Sequence, residues 1–105
     1  MDPHTVNERR GQLQVLDVRD DGEWAAGRID GARHIPLKEL SARLAELDRD
    51  RPVVTVCRSG GRSSQAADEL TQAGLSAENM DGGMEQWAGA GLPVTTPDGG
   101  PGRVA

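Results

Sequence analysis

The chain of 105 residues is long enough for one folded domain and contains a single Cys, two His and two Trp. One Cys excludes an internal disulfide framework and a Cys-rich zinc site, and we expect neither a metal nor any other cofactor. The net charge of −5 argues against nucleic acid or an anionic membrane as a partner, because both require a basic face. No apolar run approaches the length of a membrane span, and Met1–His4 lacks a signal segment, so we expect a soluble, cytoplasmic protein.

The N-terminal part of the chain alternates helical and extended patterns. Thr5–Glu8 has the spacing of a capping box and predicts the start of a short helix. The apolar run Leu13–Val18 predicts a buried strand, and Asp20–Gly27, with acids first and Gly last, predicts a short helix. Arg33–Pro36 is predicted to be extended, because the residue before Pro avoids the helical region.

The rest of the chain repeats this alternation. Leucines recur over residues 37–47 at the spacing of an amphipathic helix with one buried stripe. Val53–Val56 is the clearest strand pattern, and Ser63–Ala73 predicts the helix that follows it. Ala77–Met80 predicts a weaker strand and Met84–Ala88 a last short helix.

Strands that alternate with helices predict an α/β domain with a central parallel sheet and helices on both faces. We assign residues 1–12 to a short N-terminal segment and residues 13–94 to the domain. Residues 95–105 are rich in Pro and Gly and have little to bury, so they are predicted to form a flexible tail.

The candidate functional segment is the junction between the strand Val53–Val56 and the next helix. Cys57 follows this strand at the carboxyl edge of the sheet, where open α/β folds place their ligand sites. Gly60 and Gly61 are expected to adopt backbone angles that turn successive N–H groups inward as an anion-binding nest. The first turn of the helix adds free N–H groups and the positive end of its dipole.

Two arginines, Arg58 and Arg62, add permanent cations to this junction. Helix N-termini and nearby cations lower the pKa of a Cys thiol, so the segment predicts a nucleophilic Cys57 that acts on an anionic substrate. A lone Cys after a strand is often a small buried hydrophobe, but the combination of these features in one short segment favours the nucleophile. The predicted site is Cys57, Arg58, Ser59, Gly60, Gly61 and Arg62, with Asp17 and Ser63 as candidate supporting residues.

Other polar and aromatic residues have structural interpretations. Asp17 ends a strand at the same sheet edge, where a structural hydrogen bond is favoured over orienting a loop arginine or tuning the thiol. Arg19 and Glu23 are four residues apart and are expected to form an ion pair. Trp24 and Trp87 are the only aromatic residues and are expected to anchor the core.

Four blocks carry a family resemblance, and they occur in this order: Leu16–Arg19, Glu23–Trp24 with Gly27–Pro36, Cys57–Ser63, and Asp81–Met84 with Trp87 and Gly91–Pro93. Over roughly residues 13–94 they resemble the single-domain type of the rhodanese (thiosulfate sulfurtransferase-like) domain family. That resemblance implies an α/β fold with a central parallel sheet, in agreement with the class predicted above.

The resemblance also implies a persulfide on Cys57. The donor would be a small anion such as thiosulfate or a low-molecular-weight persulfide, and the acceptor a thiol or cyanide. The loop amides from Arg58 to Arg62 would hold the terminal sulfur while the arginine side chains steer the donor. A non-enzymatic sulfur relay that depends on a protein partner is the alternative. Phosphatase chemistry is disfavoured, because related phosphatases have one more residue between Cys and Arg than separates Cys57 from Arg62.

Overall fold

The computed structural model describes all residues from Met1 to Ala105 and contains one four-stranded sheet. Its strands are β1 (Gln14–Asp17), β2 (Arg33–His34), β3 (Val53–Val56) and β4 (Ala77–Asn79). Their spatial order is β2-β1-β3-β4, and every neighbouring pair is parallel. The predicted α/β class with a central parallel sheet is therefore confirmed. All of β3 is buried, as expected for a parallel strand that is covered on both faces.

The α-helices are α1 (Pro3–Arg9), α2 (Asp21–Ala26), α3 (Gly61–Gln72) and α4 (Gly83–Gly89). The predicted capping box at Thr5–Glu8 is wrong, because α1 begins earlier. Asp2 accepts a hydrogen bond from the backbone N–H of Thr5, and Pro3 occupies the first turn, where its missing N–H costs nothing. None of the helices combines the length and apolarity that crossing a membrane requires.

The amphipathic helix predicted over residues 37–47 is present as two short 3-10 helices, Leu37–Ala42 and Leu44–Glu46. The backbone of Arg43, with φ −120° and ψ 15°, interrupts the helical path between them. The prediction of a buried leucine stripe holds, since Leu40 and Leu47 lie in the core. A 3-10 helix also brings side chains three residues apart onto one face, so the spacing of apolar residues did not separate the two helix types.

Apolar side chains form one cluster on each face of the sheet. Because side chains alternate along a strand, Val53 and Cys57 belong to the cluster under α3, whereas Val54 and Val56 belong to the cluster under α1 and α4. Helices therefore cover both faces, as predicted. Trp87 is 1% exposed within the second cluster, which confirms its role as a core anchor.

Residues 95–105, predicted from composition to be a flexible tail, contact the segment after α2. Thr95 and Arg28 exchange two backbone hydrogen bonds of 2.9 Å, and the Arg103 N–H donates to the Ala26 carbonyl. Val94 and Val104 pack against the second apolar cluster. These hydrogen bonds are between backbone groups, which every residue type carries, so the amino-acid composition did not predict them.

Candidate functional site

The sheet delivers Cys57 to the base of a short loop that leads directly into α3. Gly60 has a φ of 115°, and this left-handed conformation points its N–H at the Cys57 Sγ atom, 3.1 Å away. Gly61 is already the first residue of α3 and has no positive φ, so the expectation of special angles at both glycines is wrong for Gly61. Cys57 is 1% exposed, which places the sulfur below the rim of the loop.

A second donor reaches the sulfur from the first turn of α3. The Ser63 hydroxyl lies 3.1 Å from Cys57 Sγ, and Ser63 is fully buried. The Thr55 hydroxyl of β3 donates to the Ser63 carbonyl at 2.7 Å and so ties this turn to the sheet. On its other side, the Ser63 hydroxyl contacts the side chain of Asn79, at the end of β4. The sulfur is thus surrounded by donors that the sheet holds in place.

These donors determine the pKa of Cys57. Burial raises the pKa of the thiol, but hydrogen bonds from the Ser63 hydroxyl and from the amides of Ser63, Gly60 and Ser59 outweigh burial, and the pKa lies below its ordinary value. The thiolate is therefore stabilised mainly by neutral hydrogen-bond donors, which is the electrostatic setting expected of a nucleophilic Cys.

The start of α4 fixes the opposite side of the loop. A Cβ atom on Gly83 would lie 2.4 Å from the Cys57 carbonyl oxygen, so only Gly permits this approach. The Met84 N–H donates to the Cys57 carbonyl at 2.8 Å, and the Glu85 N–H donates to the Arg58 carbonyl at 3.0 Å. These bonds hold the carbonyls toward α4, which leaves the following amides free to face the sulfur.

Both loop arginines have carboxylate partners from distant parts of the chain. Arg62 donates from Nη1 and Nη2 to the two carboxylate oxygens of Glu23, at 2.6 and 2.8 Å. The bidentate pair lowers the pKa of Glu23 to about 2. Arg58 is half exposed and lies 3.9 Å from a carboxylate oxygen of Glu85. Arg58 is therefore the less constrained of the two cations.

The predicted ion pair between Arg19 and Glu23 is wrong, because each has a different partner. Arg19 is fully buried and donates from Nη2 to Asp17 Oδ2 at 2.7 Å. The carboxylate of Asp17 makes its hydrogen bonds to the backbone and side chain of Arg19. Asp17 therefore has the structural role, and the structure gives its carboxylate no hydrogen bond to the Cys57 loop.

Trp24 is a half-buried residue on a helix that has no buried residues, so the prediction that it anchors the core is wrong. The Arg28 guanidinium lies 3.9 Å above its ring, and the His34 ring stacks on it at a centroid distance of 4.7 Å. These contacts shield the indole at the surface, which sequence alone did not indicate.

A groove of about 770 Å³ lies beside the loop, between α2, the first 3-10 helix and α3. Lys38, Arg62 and Glu69 are among the residues that line it, whereas Cys57 is not. The groove has the size of a small-molecule site, but the candidate nucleophile Cys57 lies in the loop next to it. We therefore place the candidate site at Cys57.

Asn79 is the residue near the sulfur that the sequence reasoning missed. Its signal was its position: β4 is parallel to β3, so the carboxyl end of β4 reaches the same sheet edge as Cys57. Of the other predicted loop residues, Ser59 and Gly60 direct backbone N–H groups to the sulfur, whereas the side chain of Arg58 lies near Glu85.

Comparison with known proteins is consistent with this geometry. A family model described as a rhodanese-like domain matches residues 2–90, which includes α1. The chain is 36% identical to a sulfurtransferase of Allochromatium vinosum, over 94% of this chain and 96% of the relative. It is 39% identical to the thiosulfate sulfurtransferase GlpE of Pseudomonas aeruginosa, over 81% of this chain and 79% of the relative. The crystal structure of a rhodanese-related protein from Thermoplasma volcanium superimposes with a TM-score of 0.87 and 33% identity, covering 90% of this chain and 95% of that one.

Proposed function

Because the chain belongs to the rhodanese-like domain family, we propose that it is a sulfurtransferase that carries sulfur as a persulfide on Cys57. The sulfurtransferases among its relatives support this type of reaction. The observation that carries the role of Cys57 is the pair of hydrogen bonds that Sγ accepts from the Gly60 amide and the Ser63 hydroxyl. Donors at this position stabilise an anionic sulfur, either the thiolate or the terminal sulfur of a persulfide.

The proposed reaction has two half-steps. In the first, the Cys57 thiolate attacks the outer sulfur of thiosulfate, a new S–S bond forms, and the bond to the sulfonate sulfur breaks with its electron pair to release sulfite. In the second, an acceptor such as cyanide or a thiolate attacks the terminal sulfur and restores the Cys57 thiolate. Neither step needs the protein to give or take a proton. This agrees with a site in which hydrogen-bond donors, and no general base, lie beside the sulfur.

The burial of Cys57 favours a small donor. At 1% exposure the thiol can be reached only by a narrow group, such as the sulfane sulfur of thiosulfate or of a low-molecular-weight persulfide. After transfer, the reactive atom lies about 2 Å farther out, the length of an S–S bond. Arg58, half exposed at the rim, is the cation best placed to attract the anion.

The test is incubation of the protein with thiosulfate and cyanide. We expect thiocyanate to form, and we expect the intact mass of donor-treated protein to increase by one sulfur atom. Cys57→Ser is the control and is expected to show neither change. Full activity in Cys57→Ser would contradict the proposal. If a protein persulfide donor loads Cys57 but small donors give no turnover, the alternative, a partner-dependent sulfur relay, replaces the enzyme.

A further inference from the structure

The Ser63 hydroxyl has one proton and two neighbours that can accept it. Its Oγ atom lies 3.1 Å from Cys57 Sγ and 2.5 Å from Asn79 Oδ1. The hydroxyl cannot donate to both atoms at once, so its orientation must depend on which neighbour needs a donor. The structure therefore contains a three-residue chain, Asn79–Ser63–Cys57, whose hydrogen bonds have two possible directions.

The two protonation states of the thiol require opposite directions. When Cys57 is a thiol, Sγ–H donates to Ser63, and Ser63 donates to Asn79 Oδ1. When Cys57 is a thiolate, Ser63 must donate to the sulfur, and the Asn79 amide must then present its N–H₂ group to the Ser63 oxygen. An amide is the side chain that can do both, because it carries a donor and an acceptor that exchange places on rotation.

The surroundings of Asn79 permit this rotation. The structure gives its Nδ2 atom no hydrogen-bond partner. Its neighbour Gly60 has no side chain, and even a Cβ atom built on Gly60 would lie 3.7 Å from Nδ2, so the amide has room to rotate. The charged groups near the three residues are Arg58 with Glu85, Arg62 with Glu23, and the Met1 ammonium, which donates to the Asn79 backbone carbonyl at 3.0 Å and lies 3.4 Å from Asp81. None of them hydrogen bonds to the side chain of Ser63 or Asn79.

We propose that Asn79 is a positioning residue whose side-chain amide rotates to orient the Ser63 hydroxyl toward or away from Cys57 Sγ. The inference rests on the proposed function only in taking Cys57 as the reacting group. The side chain of Asn79 contacts Ser63 and makes no hydrogen bond to the sulfur, so it acts through Ser63. Its effect is therefore expected in the titration of the thiol as well as in turnover.

The test is the pH titration of Cys57, followed by the ultraviolet absorbance of the thiolate. The chain has one Cys and no Tyr, so no second thiol and no phenol contributes to the signal. Asn79→Asp supplies only acceptor oxygens and holds the Ser63 proton away from the sulfur. We expect its titration to move to higher pH and the rate of Cys57 alkylation at neutral pH to fall about tenfold, the equivalent of one lost charge-assisted hydrogen bond.

A double-mutant cycle with Ser63→Ala separates this effect from the added charge of Asp. On the Ser63→Ala background the new carboxylate can act only through space, so we expect the shift caused by Asn79→Asp to shrink. Asn79→Ala, which adds no charge, is expected to move the titration in the same direction by a smaller amount, and only when Ser63 is present. Equal shifts on both backgrounds, or a wild-type titration in Asn79→Ala, would overturn the inference.

This readout is independent of sulfur transfer, because the titration needs no donor or acceptor. A protein that titrates as expected but forms no thiocyanate contradicts the proposed function and supports the role of Asn79. A protein that forms thiocyanate but shows no coupling between Asn79 and Ser63 contradicts the role of Asn79 and supports the proposed function.

Discussion

Replacement of Glu23 by Gln should destabilise the protein at neutral pH, because it removes the charge that pairs with Arg62. The amide oxygen of Gln can still accept the hydrogen bond from the Asp20 N–H that Glu23 accepts in the wild type. The fall in the pKa of Glu23 from 4.5 to about 2 corresponds to about 3 kcal/mol. Arg62 is 39% exposed and partly screened by water, so we expect a loss of about 1–2 kcal/mol in the free energy of unfolding.

The pH dependence identifies the cause of this loss. Because the folded-state pKa is lowered, the stabilisation is fully present above pH 4.5 and decreases as the pH falls from 4.5 toward about 2. Urea unfolding of wild type and Glu23→Gln between pH 7 and pH 3 should therefore give curves that converge in acid. Glu46→Gln is a matched control: Glu46 also forms two hydrogen bonds with one arginine, Arg43, but is exposed, and a much smaller effect is expected.

Stabilisation by the Glu23–Arg62 pair is contradicted if Glu23→Gln is as stable as the wild type at pH 7, or if the difference in stability stays constant down to pH 3. A constant difference would mean that the substitution acts through packing or the helix cap. An effect of equal size in Glu46→Gln would mean that burial of the pair does not matter.

Three further predictions concern the loop. Gly60→Ala, at a φ of 115°, should cost about 1–2 kcal/mol in unfolding free energy and slow thiol alkylation, whereas Gly61→Ala should be neutral because its Cβ meets nothing within 4 Å. Gly83→Ala should lower the thermal midpoint strongly, since its Cβ would lie 2.4 Å from backbone, while Gly89→Ala in the same helix is the tolerated control. Arg58→Gln should raise the KM for thiosulfate about twofold to fivefold at low salt with kcat unchanged; a change confined to kcat would contradict a steering role.

The position of Cys57 at the junction of β3 and the loop could be predicted from the sequence because its determinants are local. The apolar run Val53–Val56 specifies a buried strand, and Cys57 follows it immediately. The strand β3 ends with its apolar run at Val56, and a helix can begin where Gly60 allows the chain to turn. Residues adjacent in sequence thus place Cys57 between the strand and the loop, whereas the contacts from α4 and β4 that hold the loop depend on tertiary structure.

The partners of the charged residues could not be predicted in the same way. The rule that pairs residues four apart holds within one helix, but Arg19 precedes the N-cap of α2 and lies outside it. Arg62 and Glu23 are 39 residues apart, and only the packing of α2 against the start of α3 brings them together. Tertiary structure decides which arginine pairs with which carboxylate. The sequence alone is compatible with several such ion pairs.

The pairing of Arg62 with Glu23 changes which groups supply the positive field at the site. From sequence, Arg58 and Arg62 suggested a cationic pocket, but Arg62 donates from both Nη1 and Nη2 to the carboxylate of Glu23. The field at the sulfur therefore comes mainly from backbone amides, the Ser63 hydroxyl and the start of α3, which act over short distances. A free bidentate cation strengthens the binding of a phosphate group, whereas a single anionic sulfur is satisfied by amides and a hydroxyl alone. The engagement of Arg62 thus favours sulfur over phosphoryl chemistry on grounds independent of loop length.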